Sequence, residues 1–414
     1  MYAYLLALLI VLAMADAIKW PSWFSVKGGA SAYAPNKEKS LKMEKDVEIV
    51  VLDYNDLMNG VDLTAEIGKA YGVDGIGLLT VSNVPGLKEA RSRLLPLAQK
   101  FAILPDATQQ KYEDPKSHYS FGWSLGKEKL EGKPDLSKGS YYANPQYDQP
   151  VTDPELIARY PAFLGNNIWP TADDAPDFED AFKSLGQLII DVGLLVAKQC
   201  DAYVLKICGE QAYESGRLHR IIDNSVCCKA RLLHYFSKED GGEAALAGQS
   251  QEIKEGDFSS WCGWHNDHGS LTGLTSAMYL DDAGQEKENK DKMAGLYIKG
   301  RKGQLVKAAF PSDRLAFQIG ETAKIHSGGI LQATPHAVRG SSDPSVSRET
   351  FAVFMEPNWD ELMNIPMGMD LERAQGKEAL KHLPPGVPPL SRRWSGNKQD
   401  FGEFTEATIK SYYD

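Results

Sequence analysis

The sequence predicts a mainly β fold with flanking helices: a jelly-roll second half preceded by an α/β region. Three observations predict it. After Asn224, short apolar and β-branched runs recur with turn residues between them, the pattern of a sandwich or barrel. The clearest helical periodicity lies before Asn224. Thirty-seven glycines and 22 prolines, about one residue in seven, favour many short elements over a helical bundle.

The chain opens with an uncharged apolar run at 2–15, YAYLLALLIVLAMA. It is short for a bilayer span and suits the apolar region of a signal peptide. Ala15-Asp16-Ala17 follows as an A-x-A cleavage arrangement, so residues 1–17 read as a presequence for entry to the secretory pathway. No stable membrane span is then expected in the mature chain. Residues 18–46 read as a linker or transit segment. Within it, Ala30-Ser31-Ala32-Tyr33-Ala34-Pro35 resembles the presequence junction of algae with secondary plastids, with Tyr33 in place of Phe. The plainer reading is a small-residue linker. Cys200, Cys208, Cys227, Cys228 and Cys262 are odd in number and lack a disulfide-framework spacing. A reducing plastid stroma fits them better than open secretion, and the ER lumen is the alternative destination.

An N-terminal accessory region is expected over 47–223. Residues 47–53 (VEIVVLD) predict a strand, 57–70 a helix, and 77–81 a second strand closed by the Asn83-Val84-Pro85-Gly86 turn. Residues 87–102 predict a helix kinked at Pro96 and stopped near Pro105. The Tyr-, Gly-, Asn- and Pro-rich stretch 112–170 reads as long loops, whose aromatics Phe121, Trp123, Tyr141 and Tyr142 either line a pocket or pack. Phe178, Phe182, Leu185, Ile189, Val192 and Val196 step by three or four and predict a long helix over 178–207.

The jelly-roll core is expected over 224–360, with strands at 229–235, 260–265, 271–279, 296–299, 315–319 and 350–355. Residues 284–292 (GQEKENKDK) predict a charged, solvated hairpin excursion. Residues 361–414 form a Pro-rich C-terminal tail ending in a helix over 400–413. The balance of 45 Lys+Arg against 56 Asp+Glu, a net charge of −11, disfavours nucleic acid and anionic membranes as partners.

The chemistry concentrates in Trp264-His265-Asn266-Asp267-His268. On a strand, residues two apart share a face, so His265 and Asp267 converge. An imidazole and a carboxylate are two thirds of a facial triad, which leaves three positions of iron(II) open. Alone the pair is weak. His336, in Thr334-Pro335-His336 beyond a Gly328-Gly329 turn, supplies the third candidate ligand. Arg348 and Thr350 then share one strand face and form a clamp for a carboxylate.

His265-x-Asp267 … His336 … Arg348-x-Thr350 resembles the H-x-D … H … R-x-S pattern of iron(II)/2-oxoglutarate-dependent oxygenases, isopenicillin N synthase-like branch. The family's N-x-Y element falls at Leu233-His234-Tyr235 after Arg231, with Leu233 replacing Asn. Gly77-Leu78-Leu79 and Leu104-Pro105 also resemble its accessory domain, and the likeness runs over about 47–357. Thr350 for Ser keeps the hydroxyl. The separation of His265 from His336 exceeds the family's usual one, and the 284–292 insertion accounts for the excess.

The resemblance implies a double-stranded β-helix (jelly roll) core and a non-haem iron dioxygenase. Fe(2+) would be held by the catalytic residues His265, Asp267 and His336. The cosubstrate 2-oxoglutarate would be held by Arg348, Thr350 and Tyr235, with O2 consumed and ascorbate as an accessory reductant. It implies hydroxylation, desaturation or ring closure at a C–H bond of a small-molecule metabolite of specialised metabolism, with release of succinate and CO2, by a monomer. Two alternatives stand beside it: a 2-oxoglutarate-independent non-haem iron oxidase and a non-catalytic ligand-binding module. Among the other histidines, His268 and His234 read as structural or surface residues, His326 as a weaker ligand candidate than His336, and His118, His219 and His382 as ordinary polar residues. Arg339 reads as a salt-bridge residue.

Overall fold

The computed structural model describes residues 40–413 apart from 45–46, 128, 131–132, 238–252, 259–260 and 397. The presequence and the junction motif lie outside these residues. Strands Val50–Asp53 (β1) and Leu78–Ser82 (β2) pair in parallel, with helix Thr64–Tyr71 (α1) in the connection between them. The single helix expected over 57–70 is divided. A first piece, Tyr54–Met58, stops at Asn59-Gly60, where Gly60 takes a positive φ of 67° before α1 begins. Helix Leu87–Ala102 (α2) passes through Pro96.

The stretch 112–170 is not all loop. It supplies Gly122–Leu125 (β3) and Lys138–Ala143 (β4), which extend the large sheet. β4 is buried along its whole length, so it carries no alternation to reveal it. Phe121, Trp123, Tyr141 and Tyr142 are buried packing residues. Phe101 of α2 meets Trp123 and Tyr141 at ring-centroid distances of 5.1 and 5.0 Å.

Helix Phe178–Cys208 (α3) follows, then Lys229–Tyr235 (β5), Cys262–His265 (β6), Leu271–Thr275 (β7) and Met278–Leu280 (β8). The strand expected over 271–279 divides at Ser276 and Ala277. Their carbonyls accept from the buried Arg91 guanidinium of α2, at 3.2 and 2.9 Å, instead of from a neighbouring strand. Gly295–Lys299 (β9), Leu305–Ala308 (β10), Leu315–Ile319 (β11), Glu321–His326 (α4), His336–Arg339 (β12), Ser347–Met355 (β13) and Phe401–Tyr413 (α5) complete the elements that matter below.

Two sheets form the jelly roll. The large one runs β1-β2-β11-β7-β13-β5-β4-β3, with β8 also paired to β13, and the small one runs β6-β12-β9-β10. β2 pairs with β11, so the N-terminal strands and the core strands share one sheet. The apolar stripe of α3 covers the large sheet's outer face. There Gly273 of β7 admits Ile189, since a Cβ would meet Ile189 Cγ2 at 2.2 Å.

The 284–292 excursion differs from the expected solvated hairpin. Glu288 and Lys292 are exposed, but Asn289 and Asp291 are buried. Ser341 Oγ donates to Asn289 Oδ1 at 3.0 Å, the Ser342 amide to Asp291 at 3.0 Å, and the Lys290 amide to Asp343 at 2.9 Å. Side-chain amide and carboxylate caps fasten the segment where apolar contacts are missing. A separate apolar cluster joins Met363, Trp394, Phe401 and Phe404 of the tail to Tyr160 and Phe163. Among the described residues no helix is long and apolar enough to cross a membrane.

Candidate metal centre

β6 and β12 are antiparallel neighbours, and their register sets His265 directly opposite His336. Directly opposed residues bring their side chains together, and the two imidazole centroids are 4.2 Å apart. The strand ends at His265, so Asp267 is not brought round by strand alternation as the sequence suggests. It sits on the following loop, which is tied to the start of α4. The Glu321 amide donates to the Asp267 carbonyl at 2.8 Å, and Thr322 Oγ1 to the His268 carbonyl at 2.6 Å. The result is a compact group. Asp267 Oδ1 lies 3.8 Å from His265 Nε2 and 3.7 Å from His336 Nε2. Metal–ligand bonds of about 2.0–2.2 Å allow one ion to reach donors at this separation. Among the described residues, this is the one group of three or more potential donors close enough to share an ion.

The rings are turned so that Nε2 faces inward. His265 Nδ1 donates to the Gly263 carbonyl at 2.9 Å, with Cys262 Sγ 3.7 Å away. His336 Nδ1 lies 2.7 Å from the side-chain amide of Gln318, a fully buried residue of β11. Gln318 Oε1 has no partner among the described residues, and the amide orientation that turns it onto Nδ1–H satisfies both groups. Such outer contacts select the tautomer that coordinates through Nε2. Burial disfavours a charged His265, but Cys262 and then Asp267 outweigh it and raise its pKa to about 9. Burial, then repulsion from His265, lowers His336 to about 4. Among the described residues, Asp267 Oδ2 is buried without a hydrogen-bond partner. A carboxylate oxygen free of hydrogen bonds beside two inward-facing imidazole nitrogens is a donor set that fits a cation.

The triad opens into a cavity of about 450 Å³ that also takes in Arg348, Thr350 and Tyr235. Arg348 and Thr350 project from the buried β13, and the register places Arg348 opposite Tyr235 of β5. The guanidinium stacks 4.9 Å from the Tyr235 ring and 5.9 Å from Trp261. It is 7% exposed, and among the described residues its Nε has no hydrogen-bond partner and no carboxylate pairs with it. A buried cation so placed is completed by an anionic ligand. Leu233, Leu274 and Val338 supply apolar wall. Glu286, Lys287 and Lys292 of the fastened excursion also line it.

All six candidate residues therefore line one cavity. The other histidines lie elsewhere. His268 is buried rather than at the surface, stacked on Phe401 at 5.3 Å and 3.7 Å from Glu356. His326 Nε2 is 3.0 Å from the Leu362 carbonyl, and His234 pairs with Glu349 at 2.9 Å. Arg339 lies between Asp257 and Asp291, 3.8 Å from each. Sequence reasoning missed Gln318 behind His336, Trp261 under Arg348, and the buried Arg393–Glu321 pair. Glu321 also accepts from Asn266 Nδ2 at 3.0 Å and so braces the ligand loop. None of these carries a motif; each becomes functional only through its neighbours in space.

No family model matches the chain, and no curated protein is similar to it in sequence. Solved structures are similar. A full-length Neurospora crassa protein, in complex with alpha-KG, superposes with a TM-score of 0.60 at 18% identity, over 92% of this chain and 100% of that one. A Caulobacter crescentus protein described as a 2OG-Fe(II) oxygenase family member gives a TM-score of 0.56 at 18% identity, over 87% and 98%. A Shewanella oneidensis protein described as an oxygenase gives 0.51 at 14% identity, over 77% and 93%. At these identities the likeness establishes the fold, a jelly roll shared with 2OG-Fe(II) oxygenases.

Proposed function

We propose that the chain is an iron(II)- and 2-oxoglutarate-dependent oxygenase of the isopenicillin N synthase-like branch, oxidising a C–H bond of a small-molecule metabolite. One observation carries the reading: a His-Asp-His donor set and a buried arginine without an anionic partner among the described residues open into the same cavity. The structural neighbour that holds alpha-KG, which is 2-oxoglutarate, supports it.

His265, Asp267 and His336 would hold iron(II), which supplies the activation of O2 against 2-oxoglutarate and the oxidation of the substrate C–H, with succinate and CO2 released. Gly263 and Gln318 keep the imidazole nitrogens aimed at that ion. Arg348, Thr350 and Tyr235 bind the far carboxylate of 2-oxoglutarate, and the Tyr235 ring also holds the guanidinium in place for it. The apolar wall of Leu233, Leu274 and Val338 limits water around the reacting C–H bond. The fastened 284–292 excursion governs which substrates enter.

The test is 2-oxoglutarate-dependent succinate formation across a panel of small metabolites, in enzyme loaded with iron(II) anaerobically before oxygen is admitted. Substrate-stimulated succinate that disappears in Asp267→Ala is the expected result. Iron(II) and 2-oxoglutarate binding without turnover on any substrate would favour a binding module, and turnover without 2-oxoglutarate would favour the oxidase. Secretory entry through residues 1–17 rests on the apolar run and the Ala15-Asp16-Ala17 arrangement, and a fluorescent fusion of that segment tests it.

A further inference from the structure

A second, smaller cavity of about 40 Å³ lies behind the ligand loop. Asn266 and Pro335, the neighbours of Asp267 and His336, form part of its wall. Lys299, the last residue of β9, and Arg301, in the turn after it, line it together with Lys324 of α4, and His382 does so from the C-terminal segment. The acidic groups facing it are already engaged. Glu321 takes the Arg393 guanidinium through both oxygens at 2.6 Å and Asn266 at 3.0 Å, and Glu255 lies 4.0 Å from Lys299. Arg301 donates to Gln332 Oε1.

Lys324 is different. Its side chain is 7% exposed, yet its ammonium has neither an acceptor nor a carboxylate partner among the described residues. Gly376, in the left-handed region at φ +68°, leaves room for it, since a Cβ there would stand 2.6 Å from Nζ. Burial, reinforced by Arg301 and Arg393, lowers its pKa to about 8 against the pull of Glu321. A desolvated ammonium among other cations is costly unless an anion joins it. The volume admits a few waters or one small inorganic anion, and excludes a nucleotide or an organic acid of any length.

We propose that this cavity binds a small inorganic anion, with Lys324 as its principal ligand and Lys299 and Arg301 adding field at the rim. The anion would clamp the C-terminal segment to the loop that carries Asp267. The inference is independent of the catalytic reading, because its test needs no turnover.

Crystals of the full chain soaked in bromide should show an anomalous peak within hydrogen-bond distance of Lys324 Nζ. Loss of that peak on adding phosphate assigns an oxyanion site; its persistence assigns a halide site. In solution, bromide or phosphate titrated at constant ionic strength against gluconate, too large for the cavity, should raise Tm. At ten times Kd the rise is about 2 °C for a chain of this size. Lys324→Met should abolish that rise, and Lys302→Met, at an exposed lysine paired with Asp74, should keep it. If Lys324→Met does not fold, the bromide peak in the unaltered chain decides. A cavity without the peak, or an equal Tm rise in Lys324→Met, overturns the proposal.

Discussion

Arg348→Met separates the carboxylate clamp from general packing. Methionine keeps an unbranched apolar stem between Tyr235 and Trp261 and removes the charge. Because no described carboxylate pairs with Arg348, the substitution strands no buried acid, and the stability change should stay within about 1 kcal/mol. Binding of 2-oxoglutarate, in contrast, loses a buried, charge-assisted and bidentate contact. Truncating one side of such a pair costs on the order of 3 kcal/mol, which is about 150-fold in Kd. Calorimetric titration of 2-oxoglutarate into the full chain loaded with redox-inert Mn(II), without oxygen, reads this directly. Mn(II) affinity, measured first, should be unchanged, since the three metal donors stand on β6, its following loop and β12 rather than on β13. A loss of 2-oxoglutarate affinity smaller than about threefold would refute the assignment of Arg348, and a parallel loss of Mn(II) affinity would point to a distorted cavity instead.

Three further outcomes are expected. His336→Ala or Asp267→Ala should remove tight Mn(II) binding and with it succinate formation, while far-UV circular dichroism stays native; retained metal binding would sink the ligand set. His326, buried with its Nδ1 unpartnered among the described residues, has its pKa lowered by burial to about 3. The unfolded chain, with a histidine near 6.5, binds that proton more readily, so stability falls as pH drops below about 6.5 and the contribution is gone below about 3. Between about pH 7.5 and 5.5 the loss is about 1.4 kcal/mol for this residue. Urea melts of His326→Gln should show a correspondingly shallower acid slope, and an identical slope would contradict the burial argument. Glu321→Gln breaks a buried ion pair with Arg393 and should cost about 3–5 kcal/mol; a Tm within 1 °C of the unaltered chain would show that the pair carries no stability.

What was legible in the sequence was whatever repeats at short range. The 3.6-residue period of 178–207 reports one buried face, and α3 follows it nearly end to end. Lys229–Tyr235 and Leu315–Ile319 are short runs between turn signals that read as strands, and they stand where expected. The candidate ligands and the Arg348/Thr350 clamp were visible because metal and carboxylate chemistry restricts residue type at fixed spacing. Less legible were β3 and β4 inside a Tyr- and Gly-rich stretch, since both faces of β4 are covered and no alternation survives. The division of 271–279 was also hidden, because the guanidinium responsible comes from α2, far away in sequence.

By itself, then, the sequence determined the mainly β class, the long helix, and the residue types available for the site. Only the tertiary structure decided how they meet. Cross-strand register put His265 opposite His336, a tie to the start of α4 brought Asp267 round beyond the strand end, and β11 supplied Gln318 to hold an imidazole. The same packing gathered Lys299, Arg301 and Lys324 around a cavity that no spacing announces. The physical reason is one of range. Periodicity and turn chemistry act over a few residues, whereas coordination and charge pairing act over a few ångströms, and only folding makes distant residues close.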